Sequence, residues 1–240
     1  VSVLVISGTG TGVGKTVVTA GIAALARGQG QSVAVLKPAQ TGVGPDEPGD
    51  LADVVRLAGP VTVRELRRYP DPLSPEAAAR RAGTAGLAPA EAARAVTELA
   101  AAHDLVLVEG AGGLLVRFDP AGSTLADIAW SVGAPLLVVA EAGLGTLNAT
   151  ALTAEVATAR GLDVVGVVIG AWPDAPDLAA LSNVADLPVA AGAPLLGAMA
   201  DGAGALPPDD FLAAAAHGLS PWFGGRFDPE CFAGSAAGLT

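Results

Sequence analysis

The sequence predicts an α/β protein: a doubly wound, mostly parallel sheet with helices on both faces. Three observations carry this. Apolar runs of strand length alternate with Ala- and Leu-rich helical stretches, the pattern of βαβ crossovers. Hydrophobic residues make up 51% of the chain and aromatics only 4%, so the core is Val, Leu, Ile and Ala, a palette suited to strands buried on both faces. The first strand runs without a break into a glycine-rich turn and a helix.

That opening strand is Val1–Ser7, and the turn is Gly8-Thr9-Gly10-Thr11-Gly12-Val13-Gly14-Lys15-Thr16. Glycines let the backbone turn its N–H groups inward, and the helix N-terminus adds positive potential where a phosphate sits. Lys15 reaches the terminal phosphates of such a ligand and the Thr16 hydroxyl holds Mg²⁺, which makes this a phosphate-binding loop of the P-loop NTPase kind. The usual spacing, Gly-x4-Gly-Lys-Ser/Thr, asks for glycine at position 9, whereas the outer glycine here is Gly8. A dinucleotide fingerprint fits worse, because Gly8 and Gly10 lack a third glycine at position 13.

The helix over 15–29 leads to a second strand, Val33–Lys37. Pro38 keeps its end extended, and Lys37 reads either as a phosphate or carboxylate partner at the sheet's active edge or as an ordinary snorkelling lysine. Residues 41–49 hold three glycines and two prolines and form a loop. A helix over 50–58 follows. Asp50 serves it as an N-cap or first-turn acid, or serves the site as a further Mg²⁺ acid. Arg64, Arg67 and Arg68 read as a solvated basic face.

Three prolines in 69–75 break the chain before helices over 75–82 and 88–102. The third strand, Leu105–Glu109, ends in Glu109-Gly110-Ala111-Gly112-Gly113. An apolar strand ending in an acid sets a carboxylate beside the phosphate loop, as in a Walker B arrangement, and the glycines allow close backbone approach. Asp104 starts that strand, on the wrong edge, and is a turn residue. A helix over 124–132, a strand over 135–140, a helix over 146–160 and a strand over 164–170 continue the alternation. Trp172 then borders a pocket. One short helix over 209–216 is the last regular element. The chain shows no repeat and no linker, so 1–240 reads as a single domain with a loose C-terminal tail over about 225–240.

The formal charge of −11 (13 basic, 24 acidic residues) argues against broad binding of nucleic acid or an anionic membrane. The single cysteine, Cys231, supports neither an intrachain disulfide nor a multi-thiolate metal site. His103 and His217 are isolated near helix ends and pair with no nucleophile. No apolar run approaches a membrane span and no signal sequence is readable, with Val1 taken to follow a removed initiator Met; the expected location is cytoplasmic.

Taken together, GTGTGVGKT at 8–16, KPAQTG at 37–42, VEGAGG at 108–113, LGTLNAT at 144–150 and PLLG at 194–197 resemble the dethiobiotin synthetase family. The displaced glycine of the phosphate loop is also a feature of that family. The resemblance implies a Mg²⁺- and ATP-dependent cyclo-ligase. It joins CO₂ (from bicarbonate) to the two adjacent amines of 7,8-diaminononanoate, closing a cyclic urea and releasing ADP and phosphate. It further implies Lys37, Lys15 and Thr11 as catalytic groups, and Thr16, Asp50 and Glu109 as the metal shell. Nucleotide contacts are implied at Gly12, Val13, Gly14, Lys15, Thr16, Glu109, Gly110, Gly112, Gly170, Ala171, Trp172 and Pro194. Substrate contacts are implied at Thr41, Gly112 and Gly113. Leu144, Gly145, Thr146 and Asn148 match the helix N-terminus that binds the substrate carboxylate in the neighbouring subunit, which implies a homodimer.

Two departures stand out. Family members often carry an acid within the phosphate loop, where Gly10 and Gly12 stand here. The Asn that often reads adenine is replaced by Gly170, so the resemblance leaves the nucleoside base open. A cobyrinate-diamide-type synthetase would need a glutamine-hydrolysing domain with a nucleophilic Cys, for which this chain has no room. A partition-type ATPase switch would need a second lysine in the phosphate loop, where positions 10 and 12 offer glycine.

Overall fold

In the computed structural model, residues 2–237 are described; Val1 lies outside them. The backbone forms a seven-stranded sheet. In chain order the elements are β1 (Ser2–Gly8), α1 (Lys15–Gly28), β2 (Val33–Thr41), α2 (Asp50–Ala58), β3 (Thr62–Tyr69), α3 (Pro75–Arg81), α4 (Pro89–Ala100), β4 (Leu105–Gly113), α5 (Leu125–Val132), β5 (Leu136–Ala140), α6 (Thr146–Ala159), β6 (Val164–Trp172), α7 (Leu178–Ala191), β7 (Leu195–Ala200), α8 (Pro208–Gly218) and α9 (Pro229–Ala237). The strand order is β3-β2-β4-β1-β5-β6-β7, and every pairing is parallel. Parallel strands need crossover helices, and those helices cover both faces. On one side α1, α2 and α8 set Val18, Ile22, Leu57 and Phe211 against Leu4 and Leu107. On the other, α3, α4 and α5 set Ala78, Leu99 and Ile128 against Val5 and Val106. The crossover after β1 runs to β2 on one side, the crossover after its neighbour β4 runs to β5 on the other, and the crevice beyond the carboxyl ends of such a strand pair is where ligands collect in these sheets.

The expected alternation holds, with corrections at the edges. β3 was not anticipated. It holds Arg64, Arg67 and Arg68, which lie on an edge strand rather than a merely solvated face. Their partners are Glu98 at 2.6 Å, Glu91 at 2.7 Å and Glu65 at 2.7 Å. Charges on an edge strand discourage pairing with another chain, and they also hide the strand from an apolar-run search. α7 was missed as well: its N-cap Asp177 accepts from the Ala180 amide at 2.8 Å, yet Pro188 interrupts the helical pattern. β7 is short and carries Gly197.

The C-terminal segment is not a loose tail over its described length. Phe227 is buried, and Phe232 of α9 packs tilted against Phe227 and edge-on against Trp172, with ring centroids 5.1 Å and 4.9 Å apart. Aromatic packing of this kind overrides a Gly- and Ala-rich composition. Among the described residues no helix is long and apolar enough to cross a membrane.

Candidate active site

The phosphate loop closes β1 onto α1. Gly12 and Gly14 take positive φ, 79° and 92°, which L side chains rarely adopt. Gly8 is required for a different reason. A Cβ there would lie 2.7 Å from the Val13 side chain, 2.8 Å from the Gly10 carbonyl oxygen and 2.9 Å from Lys15 Nζ. The displaced glycine is thus the position where the loop folds back on its own strand. Lys15 is buried and donates to the Gly10 carbonyl at 2.8 Å. Burial first, then repulsion from Lys37, lowers its pKa to about 8, against an opposing pull from Glu109 and Asp50.

β2 and β4 bring the second set of charges. Lys37, only 2% exposed, lies 2.5 Å from Asp50 Oδ2 and 2.7 Å from Glu109 Oε1, and donates to the Gly110 carbonyl at 3.2 Å. Burial alone would lower the Lys37 pKa, but the two carboxylates outweigh it and hold it above the usual lysine value. Asp50 is held below the usual carboxylate range: burial opposes this, and the Lys37 charge prevails. A surface lysine has no such surroundings, so the snorkelling alternative fails here. Asp50 is the first residue of α2, after the N-cap Gly49.

Glu109 is fully buried. Its Oε1 accepts from Thr16 Oγ1 at 3.0 Å, while its Oε2 is buried without a hydrogen-bond partner. A buried carboxylate oxygen left unpaired is costly, and a cation supplied with the nucleotide would satisfy it. Among the described residues no group of three or more His, Cys, Asp or Glu converges. The donors are two carboxylates and a hydroxyl, a hard, sparse oxygen set that fits Mg²⁺ completed by water and phosphate oxygens.

A cavity of about 740 Å³ gathers Thr11, Gly12, Gly14, Lys15, Thr16, Lys37, Thr41, Asp50 and Gly112, and is also lined by Pro72, Leu73, Ser74, Pro75 and Val116. The sequence gives no sign of this second part of the lining, because Tyr69–Pro75 offers only its prolines. Gly113 faces a separate hollow with Thr9, Leu115 and Leu152. Val13 is buried beneath the loop. Gly170 packs against the same peptide: a Cβ there would strike the Val13 carbonyl oxygen, and one on Gly14 would strike that of Gly170. The missing side chain at 170 is therefore a packing requirement of this loop.

Pro194 does not lie at the active edge. It precedes β7, where its carbonyl accepts from the Val167 amide at 2.9 Å, and parallel strands put that start on the opposite edge. At the other end of β7, Ala200 is the register partner of Trp172, and the amide of the next residue, Asp201, donates to the Trp172 carbonyl at 2.8 Å. Leu144, 90% exposed, and Gly145, with φ 95°, lead into α6, with Thr146 buried and Asn148 exposed. None of these four lines the 740 Å³ cavity of its own chain.

A family model described as an AAA domain matches residues 2–201. The ATP-dependent dethiobiotin synthetase BioD of Streptomyces coelicolor is 62% identical over 230 residues, 96% of this chain and 97% of that protein. The chain belongs to the dethiobiotin synthetase family. The BioD proteins of Saccharopolyspora erythraea and Mycolicibacterium vanbaalenii are 62% and 47% identical, covering 94% and 92% of this chain and 99% and 96% of their own length. Solved structures share the fold of this dethiobiotin synthetase family member at low identity. The cell division ATPase MinD of Pyrococcus furiosus matches with a TM-score of 0.53 at 19% identity over 89% of each chain. The MinC:MinD complex of Aquifex aeolicus matches with a TM-score of 0.54 at 16% identity over 100% of this chain and 96% of that one. At these identities the likeness concerns the fold alone.

Proposed function

We propose that this chain is an ATP-dependent dethiobiotin synthetase, a ligase of biotin biosynthesis that closes a cyclic urea on 7,8-diaminononanoate with CO₂. Family membership at 62% identity supports the activity. The observation that carries the mechanism is the placement of Lys37 and Lys15 around one cavity with the phosphate loop.

One amine of the diamine adds to CO₂, forming a C–N bond and releasing a proton, to give a carbamate. A carbamate oxygen attacks the γ-phosphorus and ADP leaves. The second amine then attacks the carbonyl carbon of the resulting carbamic–phosphoric anhydride, and the C–O bond to phosphate breaks. The central difficulty is bringing an anionic carbamate to an anionic phosphate. Lys37 is in position to neutralise the carbamate, and Lys15 to follow the γ-phosphate; preorganised charges of this kind are typically worth ~10²–10³ each in rate. Thr11 lines the same cavity, and Thr41 and Gly112, also in its lining, are assigned to the diamine. Thr16, Asp50 and Glu109 would hold Mg²⁺, which supplies charge neutralisation on the triphosphate. The carboxylate of the diamine is assigned to Leu144, Gly145, Thr146 and Asn148 of a second copy, where helix N-terminal amides donate to an anion. The working unit in this reading is a homodimer.

The test is direct. Purified protein with diamine, bicarbonate, Mg²⁺ and ATP is expected to release phosphate and form a ureido product detectable by mass spectrometry. Folded protein that yields no ureido product would falsify the proposal.

A further inference from the structure

Arg68 belongs to the basic run of β3 that the function leaves unused, and it is built into the approach to the active site. Its Nε and Nη2 donate to the two carboxylate oxygens of Glu65 at 2.7 and 2.8 Å. Its Nη1 donates to the carbonyls of Gly44 and Glu47 at 3.0 and 2.7 Å. Those carbonyls belong to the segment 42–49, which has no helix or strand of its own and ends at Gly49, the N-cap of α2. Gln40 reaches the same point from β2. It is buried, and its Oε1 accepts from the Asp50 amide at 2.9 Å. In the sheet, Gln40 and Arg68 are register partners.

Gly49 is wedged between these two side chains. A Cβ on it would lie 2.9 Å from Gln40 Oε1 and 3.1 Å from Arg68 Nη2. We infer that Arg68, with Gln40, is a positioning residue that fixes the segment 42–49 and the start of α2, and so sets Asp50 against Lys37. The ion pair with Glu65 is partly exposed and contributes little stability by itself; its value is geometric. A planar guanidinium can serve a carboxylate through two donors and two carbonyls through a third, whereas a lysine ammonium is a point charge without that fork. Asp50 sits 2.5 Å from Lys37 Nζ, and misplacing a catalytic group by about 1 Å typically costs ~10² in rate.

The inference rests on the reading that Asp50 works at the Mg²⁺ and phosphate site, and the experiment separates the two. Full-length Arg68→Ala, Arg68→Lys, Gly49→Ala and Asp50→Asn are compared with the parent protein. Amide hydrogen exchange of the ligand-free protein is one readout, and the Mg²⁺ concentration for half-maximal ureido formation is the other. Arg68→Ala is expected to speed exchange within 42–52 while β1, α1 and β4 keep theirs. It should also raise the Mg²⁺ requirement by roughly 10–100-fold, the usual cost of losing an outer partner of a metal ligand. Gly49→Ala, which pushes the two clamps apart without removing either, should act in the same direction, and Arg68→Lys should recover only part of the loss. Parent-like exchange and Mg²⁺ requirement in Arg68→Ala would overturn the inference. If Asp50→Asn leaves the Mg²⁺ requirement unchanged, the reading of Asp50 falls and the inference with it. If Asp50→Asn raises it and Arg68→Ala does not, the inference alone falls.

Discussion

Lys15 enters the site with its pKa near 8, brought down by burial and by Lys37. A bound triphosphate adds negative charge beside it and raises that pKa, so the complex holds more protons than the free protein. Binding should therefore take up protons near pH 8 and weaken as pH rises through that value. Calorimetry in buffers of different ionisation enthalpy checks this; proton release would contradict it. Lys37 offers a second test. Lys37→Ala strands the fully buried Glu109, and breaking a buried pair costs on the order of 3–5 kcal/mol of stability. Turnover should also fall by roughly 10² or more. Adding Glu109→Gln removes the stranded charge and should restore much of the stability with none of the turnover. Denaturant melts beside turnover assays separate the two effects, and a double variant no more stable than the single would show that the pair is not the cause.

At the scale of elements, the proposed function makes the carboxyl end of β6 the place where base preference is tested. Gly170 packs on the Val13–Gly14 peptide, so a side-chain amide has no room there. Without it, in the proposed reaction the phosphates and Mg²⁺ would supply contacts common to every triphosphate. CTP, UTP or GTP is expected to support turnover within roughly tenfold of ATP, a gap of about 1.4 kcal/mol. Measuring kcat/KM for all four nucleotides decides the point, and a hundredfold preference for ATP would mean that another group reads adenine. Trp172 at the end of β6 is braced by Phe232 of α9. Helix α9, in a stretch whose composition predicts only a loose tail, thus supports the last residue of that strand.

For the whole molecule, the decisive question is whether the site is completed by a second copy. Within one chain, Leu144–Asn148 and the Lys37 cavity are separate surfaces. If they meet across a dimer, mixing Lys15→Ala with Asn148→Ala subunits should restore part of the activity, because one hybrid site is intact. Proven subunit exchange with no rescue would count against a shared site.

The sequence by itself determined the alternating fold, the phosphate loop, and Lys37, Asp50 and Glu109 as charged candidates. Each of these rests on local information: apolar runs, a glycine turn at a strand end, a charge placed where a buried strand stops. Tertiary structure decided what those residues meet. Only packing shows that Gly8 gives way to Lys15, or that Gly170 yields its side-chain volume to the loop. Only packing shows that Arg68, a surface charge by composition, clamps the segment leading to Asp50. Pro194 fell on the wrong edge because a motif fixes chain order, whereas the direction and register of β7 fix which end of it faces the ligand. β3 stayed hidden because an edge strand satisfied by ion pairs needs no apolar face, and hydrophobic pattern is the signal by which strands are read.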